Sequence, residues 1–369
     1  MPNPKSKIQN LKSKKSKIDT VEKPSNLLLK LSRQLFDDPL EQGRFVTALT
    51  QPQPFHPCIL WCRPRPESLP FAIAPTVSWQ PAPVDRLALG ERPGAHPWHE
   101  AGYFYCLDFS SVFAISPIAL LKAQAGRPPQ TIIDLCASPG GKGIFAGTTL
   151  QPALLLSNET IGKRMGALVS NLRRCFTPAE NTAPQRVAAV SLDSQVLAEA
   201  MPQAADLVIV DAPCTGQSLL AKGETAPGCF HPVSINKNAN RQKRILANAA
   251  RLVAPGGHLA YMTCAYSPAE NEGVMDWFLE RFPQFAPVSV PPLAALQSPL
   301  TELPCYRMFP QDGLGAGAFT VLLQNQEAGA AQEIGEAGWA EFWGQLRQRC
   351  GAISRPVWIR DRPDHSPLS

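Results

Sequence analysis

Charge is what this chain has little of: 18% of its 369 residues are Asp, Glu, Lys or Arg. The formal excess of +5 is local. Residues 1–23 hold seven lysines against Asp19 and Glu22, which accounts for all of it, so the other 346 residues balance. A uniformly acidic or basic body is excluded, and a charged face has to come from uneven placement. Long apolar runs are missing as well. Val112–Leu121 is uncharged but contains Ser116 and Pro117 and is too short for a bilayer, so a membrane-spanning chain is rejected. Paired cysteines are also lacking. The ten are scattered singly, unlike the disulfide framework of a small secreted domain. Cys58 and Cys62 have no second pair, which favours two structural thiols over a zinc site, and no metal is expected. Reduced thiols in the cytoplasm fit best, and the lysine-rich start, followed by Lys30 and Arg33, is no signal peptide.

Proline is abundant, 38 residues beside 25 glycines. Eleven prolines fall in 51–98, where short strands such as 58–62 and 71–74 fit and a long helix does not. Residues 1–23 repeat Lys-Ser-Lys without apolar periodicity and are expected to be a disordered basic tail. Leu27, Leu28, Leu31, Leu35 and Phe36 recur at helical spacing within 24–53, and a second helical stretch is expected at 109–123. Residues 24–128 therefore read as a small N-terminal α+β subdomain. From 129 to 325 the pattern changes. Apolar runs at 131–135, 153–157, 187–191, 206–210 and 258–263 alternate with helical segments near 141–148, 161–174, 238–253 and 269–281. That alternation predicts an α/β fold with a mostly parallel sheet and a ligand at the carboxyl ends of its strands. Runs at 305–309 and 317–324 predict an antiparallel hairpin at the sheet edge, and 326–369 a C-terminal tail with a helix at 338–349.

Four segments carry chemistry. In Thr131–Lys142 (TIIDLCASPGGK) an apolar strand enters a small-residue turn from which a helix opens, a place where backbone can approach a ligand. A phosphate loop would need Gly at Cys136 and Ser or Thr at Gly143, and the dinucleotide pattern G-x-G-x-x-G does not occur there. Glu159 ends the next apolar run, where an acid can accept ribose hydroxyls or merely favour a helix N-terminus. Asp193 follows the third run, within reach of an adenine amino group. Asp206–Gly216 (DLVIVDAPCTG) and His258–Glu272 (HLAYMTCAYSPAENE) each place one cysteine just beyond an apolar strand. A lone cysteine is usually a small buried hydrophobe, but two at equivalent strand ends suggest a thiolate nucleophile and a second group assisting it.

With these segments the chain resembles the Sun-type (RsmB/NOP) RNA cytosine-5 methyltransferases, from about Leu27 to Gln324. Their D-x-C-A-x-P-G-G-K, D-A-P-C-[ST]-G and T-C-x-x-x-x-x-E-N-E segments recur here in order, as DLCASPGGK, DAPCTG and TCAYSPAENE. The resemblance implies a class I methyltransferase (Rossmann-like) fold with an N-terminal RNA-binding subdomain, S-adenosylmethionine as cofactor, and RNA as substrate. By the same resemblance Cys136, Ala137, Ser138, Pro139, Gly140, Gly141 and Lys142 form the cofactor loop, Glu159 is the ribose acid, Asp193 the adenine contact, and Arg164 a recurrent arginine beside them. Asp211 is implied to touch both cofactor and target, Cys264 to be the nucleophile, and Cys214 to help product leave. The stretch Gln217–Cys229 lacks the arginine-rich, tryptophan-ended pattern of the family's bacterial ribosomal enzymes, and Ala318 stands where a second phenylalanine is common. The expectation is 5-methylcytosine formed through a covalent cysteine–cytosine intermediate in single-stranded or locally opened RNA, ribosomal RNA ahead of transfer RNA. A non-catalytic RNA-binding assembly factor of the same fold is the alternative. The protein is expected to act as a cytoplasmic monomer without a stable protein partner.

Overall fold

The structure is a computed structural model that describes residues 24–124, 129–177, 186–329, Gly344 and 357–361. The tail expected at 1–23, and all but Gly344 of the helix expected at 338–349, lie outside them. Two helices come first, Asn26–Leu35 and Pro39–Thr50. Ser25 caps the first by accepting from Leu28 N at 3.2 Å. Asp38 caps the second, and Pro39 at its first position supplies a fixed φ. Leu28, Leu31 and Leu35 share one face and are buried with Phe45 and Leu49 against Ala221, Tyr266 and Ala316, all far along the chain.

Strands β1 (Cys58–Trp61), β2 (Val84–Arg86) and β3 (Phe104–Leu107) form an antiparallel sheet in the order β2-β1-β3. The strand expected at 71–74 is not one. It contributes a single bridge, Ile73 to Leu87, because Pro70 and Pro75 bracket it and cannot donate to a ladder. Cys58 and Cys62 are buried in the core, and among the described residues no group of His, Cys, Asp or Glu can hold a metal. The helix Phe109–Ile115, capped by Asp108, then leads to the large sheet.

The large sheet is built from β4 (Thr131–Asp134), β5 (Leu154–Asn158), β6 (Arg186–Val190), β7 (Ala205–Asp211), β8 (Val253–Thr263), β9 (Phe285–Pro287), β10 (Tyr306–Met308), β11 (Ala318–Asn325) and β12 (Val357–Asp361). Its order is β10-β11-β8-β7-β4-β5-β6-β12, with β9 also on β11. The run from β8 to β6 is parallel, whereas β11 and β12 pair antiparallel to it. The hairpin expected at the edge is thus present. Within 326–369, expected to be a partly helical tail, Val357–Asp361 is a strand that pairs with β6.

Period-2 alternation divides the sheet between two cores. Ile132, Leu155, Leu207 and Ile209 face one, and Ile133, Leu156, Val208 and Val210 the other. The first core is continuous with Cys58, Leu60, Val84 and Tyr105 of the N-terminal sheet. Helices Gly141–Leu150, Gly162–Phe176, Ser194–Ala200, Pro232–Leu252 and Glu272–Arg281 cover the sheet. This is the Rossmann-like layering of a class I methyltransferase, and the strand order reverses at β4, where a ligand crevice opens. Among the described residues no helix is long and apolar enough to cross a membrane.

Candidate active site

Five parallel strands deliver the expected residues to one edge. After β4 the chain turns at Cys136–Gly140, and Gly140, at φ +117°, adopts a conformation that L side chains rarely take. A Cβ on Gly141 would lie 2.7 Å from Leu107 Cδ2, so any side chain there would require Leu107 of β3 to move. The turn is held from the next helix. Arg164 donates to Ser138 O, Ser138 Oγ donates to Arg164 O at 3.0 Å, and Asn171 Nδ2 to Pro139 O at 2.9 Å.

Cys136, Glu159, Arg164 and Asp193 line one cavity of about 130 Å3, together with Pro213 and Arg241. Glu159 is buried. Its Oε1 accepts from Ile161 N at 2.8 Å, while Oε2 lies 3.3 Å from Arg164 and has no hydrogen-bond donor. Glu159 lines this cavity with one carboxylate oxygen short of a hydrogen-bond donor, which a ribose hydroxyl would supply, so the residues fit a nucleoside cofactor. Asp193 lines the cavity but also caps the helix Ser194–Ala200 through Gln195 N at 2.9 Å. Sequence reading missed Asn158. Fully buried, it donates to Leu135 O and Leu192 O and accepts from Leu192 N, tying the ends of β4, β5 and the loop after β6.

A second cavity, about 190 Å3, holds Cys264, Asp211 and Lys142 along with Asp108, Lys222 and Ser218. Lys142, expected in the cofactor loop, turns its ammonium to Asp211 Oδ2 at 2.9 Å. Burial alone would lower its pKa, but the charge and hydrogen bond of Asp211, with Asp134 nearby, outweigh burial and leave it raised. The Cys214 and Cys264 sulfurs lie 2.8 Å apart. They are brought together from the ends of β7 and β8.

The two thiols are not equivalent. The hydrogen bond from Cys214 lowers the Cys264 pKa most, burial and Asp211 oppose it, and Ser218 and Lys142 add to the lowering. Cys214 moves up through its bond to Cys264, its burial and its neighbouring charges, Cys264 and then Glu270. The hydrogen bond thus makes Cys264 the more acidic sulfur of the pair, with Ser218 and Lys142 on the same side and burial and Asp211 against it.

What fixes the pair is the Glu270-Asn271-Glu272 triplet. Buried Glu270 accepts from Thr215 N (2.9 Å), Thr215 Oγ1 (2.6 Å) and Gln242 Nε2 (3.2 Å), holding the Cys214 loop. Asn271 accepts from Thr263 Oγ1 at 2.6 Å and donates to Ala265 O at 2.9 Å, on either side of Cys264. Glu272 takes Arg307 Nε at 2.7 Å and Arg307 Nη2 at 2.5 Å, anchoring β10. Gln217, in the stretch that departs from the family pattern, is fully buried and accepts from Tyr266 N and Ser267 N at 2.7 and 2.9 Å. Sequence alone gave no signal for it, since both partners are about fifty positions away.

A sequence model of the family described as 16S rRNA methyltransferase RsmB/F matches residues 120–324. Ribosomal RNA small subunit methyltransferase F of Escherichia coli O17:K52:H18 is 31% identical over 240 residues, 64% of this chain and 47% of its own. The protein of that name from Cronobacter sakazakii is 32% identical over 223 residues, 59% of this chain and 44% of its own. The chain thus spans about half the length of these curated relatives. Among solved structures, a methyltransferase homolog protein from Pyrococcus horikoshii superposes with a TM-score of 0.61 at 20% identity, over 82% of this chain and 99% of that one. That likeness shows the fold. The family match, falling on the segments that bring Lys142, Asp211, Cys214 and Cys264 together, shows the rest: the chain belongs to the RsmB/F family of S-adenosylmethionine-dependent rRNA methyltransferases.

Proposed function

We propose that this protein methylates carbon 5 of a cytosine in RNA, with ribosomal RNA as the substrate, through a covalent bond from Cys264. The observation that carries this reading is the sulfur pair, 2.8 Å apart, with Cys264 favoured as thiolate and Cys214 as thiol. Methylation of a nitrogen or of a ribose hydroxyl needs no such pair. Carbon 5 of cytosine is too poor a nucleophile to react unaided. Addition of the Cys264 thiolate to carbon 6 turns the ring into an enamine whose carbon 5 is nucleophilic. Asp211 and Lys142, joined at 2.9 Å, would hold the ring's polar edge and stabilise the charge that addition places there. S-adenosylmethionine, held by Glu159 and the turn Cys136–Gly141, supplies the methyl group. Loss of the carbon 5 proton to water in the cavity then expels Cys264 as thiolate, and the Cys214 S–H hydrogen-bonds the departing sulfur. RNA as the polyanion is supported by the helix Pro232–Leu252, which carries Lys237, Arg241, Lys243, Arg244 and Arg251 and no acid.

The test uses both cysteine variants with a cytosine-containing RNA, read as protein–RNA species that survive denaturant. Cys264→Ala should form no adduct and transfer no methyl group. Cys214→Ala should accumulate adduct, more so with S-adenosylmethionine. Its adduct formation should also need higher pH than that of the wild type, because the largest influence lowering the Cys264 pKa has been removed. Adduct in Cys264→Ala but not in Cys214→Ala would reverse the roles and overturn the reading.

A further inference from the structure

Two cations line the Cys264 cavity, Lys142 and Lys222. They differ in commitment. The Lys142 side chain is 10% exposed and bound to Asp211, whereas Lys222 is 32% exposed and ends the short helical turn Gln217–Lys222. Lys222 Nζ lies 3.0 Å from Asp108 Oδ2. Asp108 cannot follow it outward, because its Oδ1 accepts from Ser110 N at 2.8 Å and so caps Phe109–Ile115. This ion pair joins the segment before β4 to the loop after Cys214, across the cavity that receives the target base. A Lys–Asp pair 32% and 23% exposed is partly screened by solvent, and a phosphate offers Lys more acceptor oxygens than one carboxylate oxygen does.

We propose that Lys222 is a phosphate-binding residue for the RNA strand, held over the Cys264 cavity by Asp108 until the strand replaces that carboxylate. This rests on the RNA reading above and adds a partner exchange to it. The neutral cytosine ring enters to Asp211 and Lys142, and its negatively charged backbone stays at the mouth, where Lys222 is the cation not committed to a catalytic group. Asp108 competes with the phosphate and repels it. The two partners of one ion pair therefore have opposite effects on RNA affinity.

The experiment takes the full chain as wild type, Lys222→Met and Asp108→Asn, the last because Asn still caps a helix. Affinity for a labelled single-stranded RNA containing cytosine is read by anisotropy across salt, alongside KM, kcat and thermal midpoint. Lys222→Met should weaken binding and raise KM about tenfold, with kcat within about twofold. Its plot of log affinity against log salt should be shallower by about 0.7, so from about 50 to about 200 mM salt it loses about 2.6-fold less affinity than the wild type. Asp108→Asn should bind RNA more tightly than the wild type. Equal weakening by both variants together with lower thermal midpoints would make the pair a structural tie and overturn the proposal. So would an unchanged salt slope in Lys222→Met while the wild type methylates RNA, and that result would leave the function standing. A wild type that neither binds nor methylates RNA would overturn function and inference together.

Discussion

Asp134 ends β4 behind the site, fully buried, with neither carboxylate oxygen meeting a donor at hydrogen-bond geometry. Burial and then the Asp211 charge push its pKa up to about 7, while Lys142 and the nearby amides of Cys136 and Gly143 pull the other way without cancelling them. The folded state therefore binds a proton that the unfolded chain, with an ordinary carboxyl, has released. Stability from this group is complete below the unfolded pKa and is lost as pH rises through the folded one. At about 1.4 kcal/mol per unit, the loss between about pH 5 and about pH 7 is about 3 kcal/mol, and little more follows above that. Asn keeps the shape and does not titrate. The quantity to measure is the stability of Asp134→Asn minus that of the wild type, from urea unfolding at pH 5 and again at pH 8. That difference should grow by about 3 kcal/mol in favour of the variant as pH rises, and any packing cost of Asn cancels between the two. With an unfolding entropy that scales with chain length, the same change is about 4 °C in thermal midpoint. A difference that does not move with pH, or that moves toward the wild type, would show that Asp134 is held as a carboxylate and would refute the reasoning.

Glu159→Ala should weaken S-adenosylmethionine binding about ten- to a hundredfold in calorimetry, the worth of hydrogen bonds to a charged acceptor, with RNA affinity little changed. Unchanged cofactor affinity would remove Glu159 from the site. Glu270→Ala leaves Thr215 N without its acceptor and Gln242 Nε2 with Pro213 O alone, and should cost about 2 kcal/mol in urea unfolding and lose RNA adduct formation. Glu270→Gln should restore both, because an amide can accept from Thr215 N and donate to Thr215 Oγ1. Equal damage by the two variants would mean that the charge matters rather than the hydrogen bonds.

The parallel core was legible in the sequence because each of its strands is a run of apolar residues covered on both faces, and such runs need no partner to be recognised. β2 and β3 were not. Val84–Arg86 buries Asp85 and Arg86, a pattern with no apolar alternation, and both strands lie in or next to the proline-rich stretch. β12 is a run of only five residues that pairs with β6 about 170 positions earlier, and nothing in its local sequence points to that partner. In the site, the residue types and their order named the two cysteines, Asp211 and Glu159. What they could not give is which cavity each residue faces. Lys142 follows the glycines in sequence but lines the Cys264 cavity, and Asp193 spends one oxygen on a helix cap. Glu270 and Gln217 work through partners about fifty residues distant, and no local pattern encodes such a distance.

The Glu-Asn-Glu triplet has a consequence for how the reaction responds to its substrates. Three consecutive buried side chains hold the Cys214 loop, the turn around Cys264 and the strand that carries Arg307 through hydrogen bonds. The spacing of the two sulfurs is thus a property of the folded chain rather than of its complexes. Under the proposed reaction no loop around the two sulfurs has to be ordered when a base arrives, so the entropy of arranging Cys264 is lost during folding and not during catalysis. A short RNA that fills only the Cys264 cavity would then bind weakly yet react, once bound, as fast as a long one.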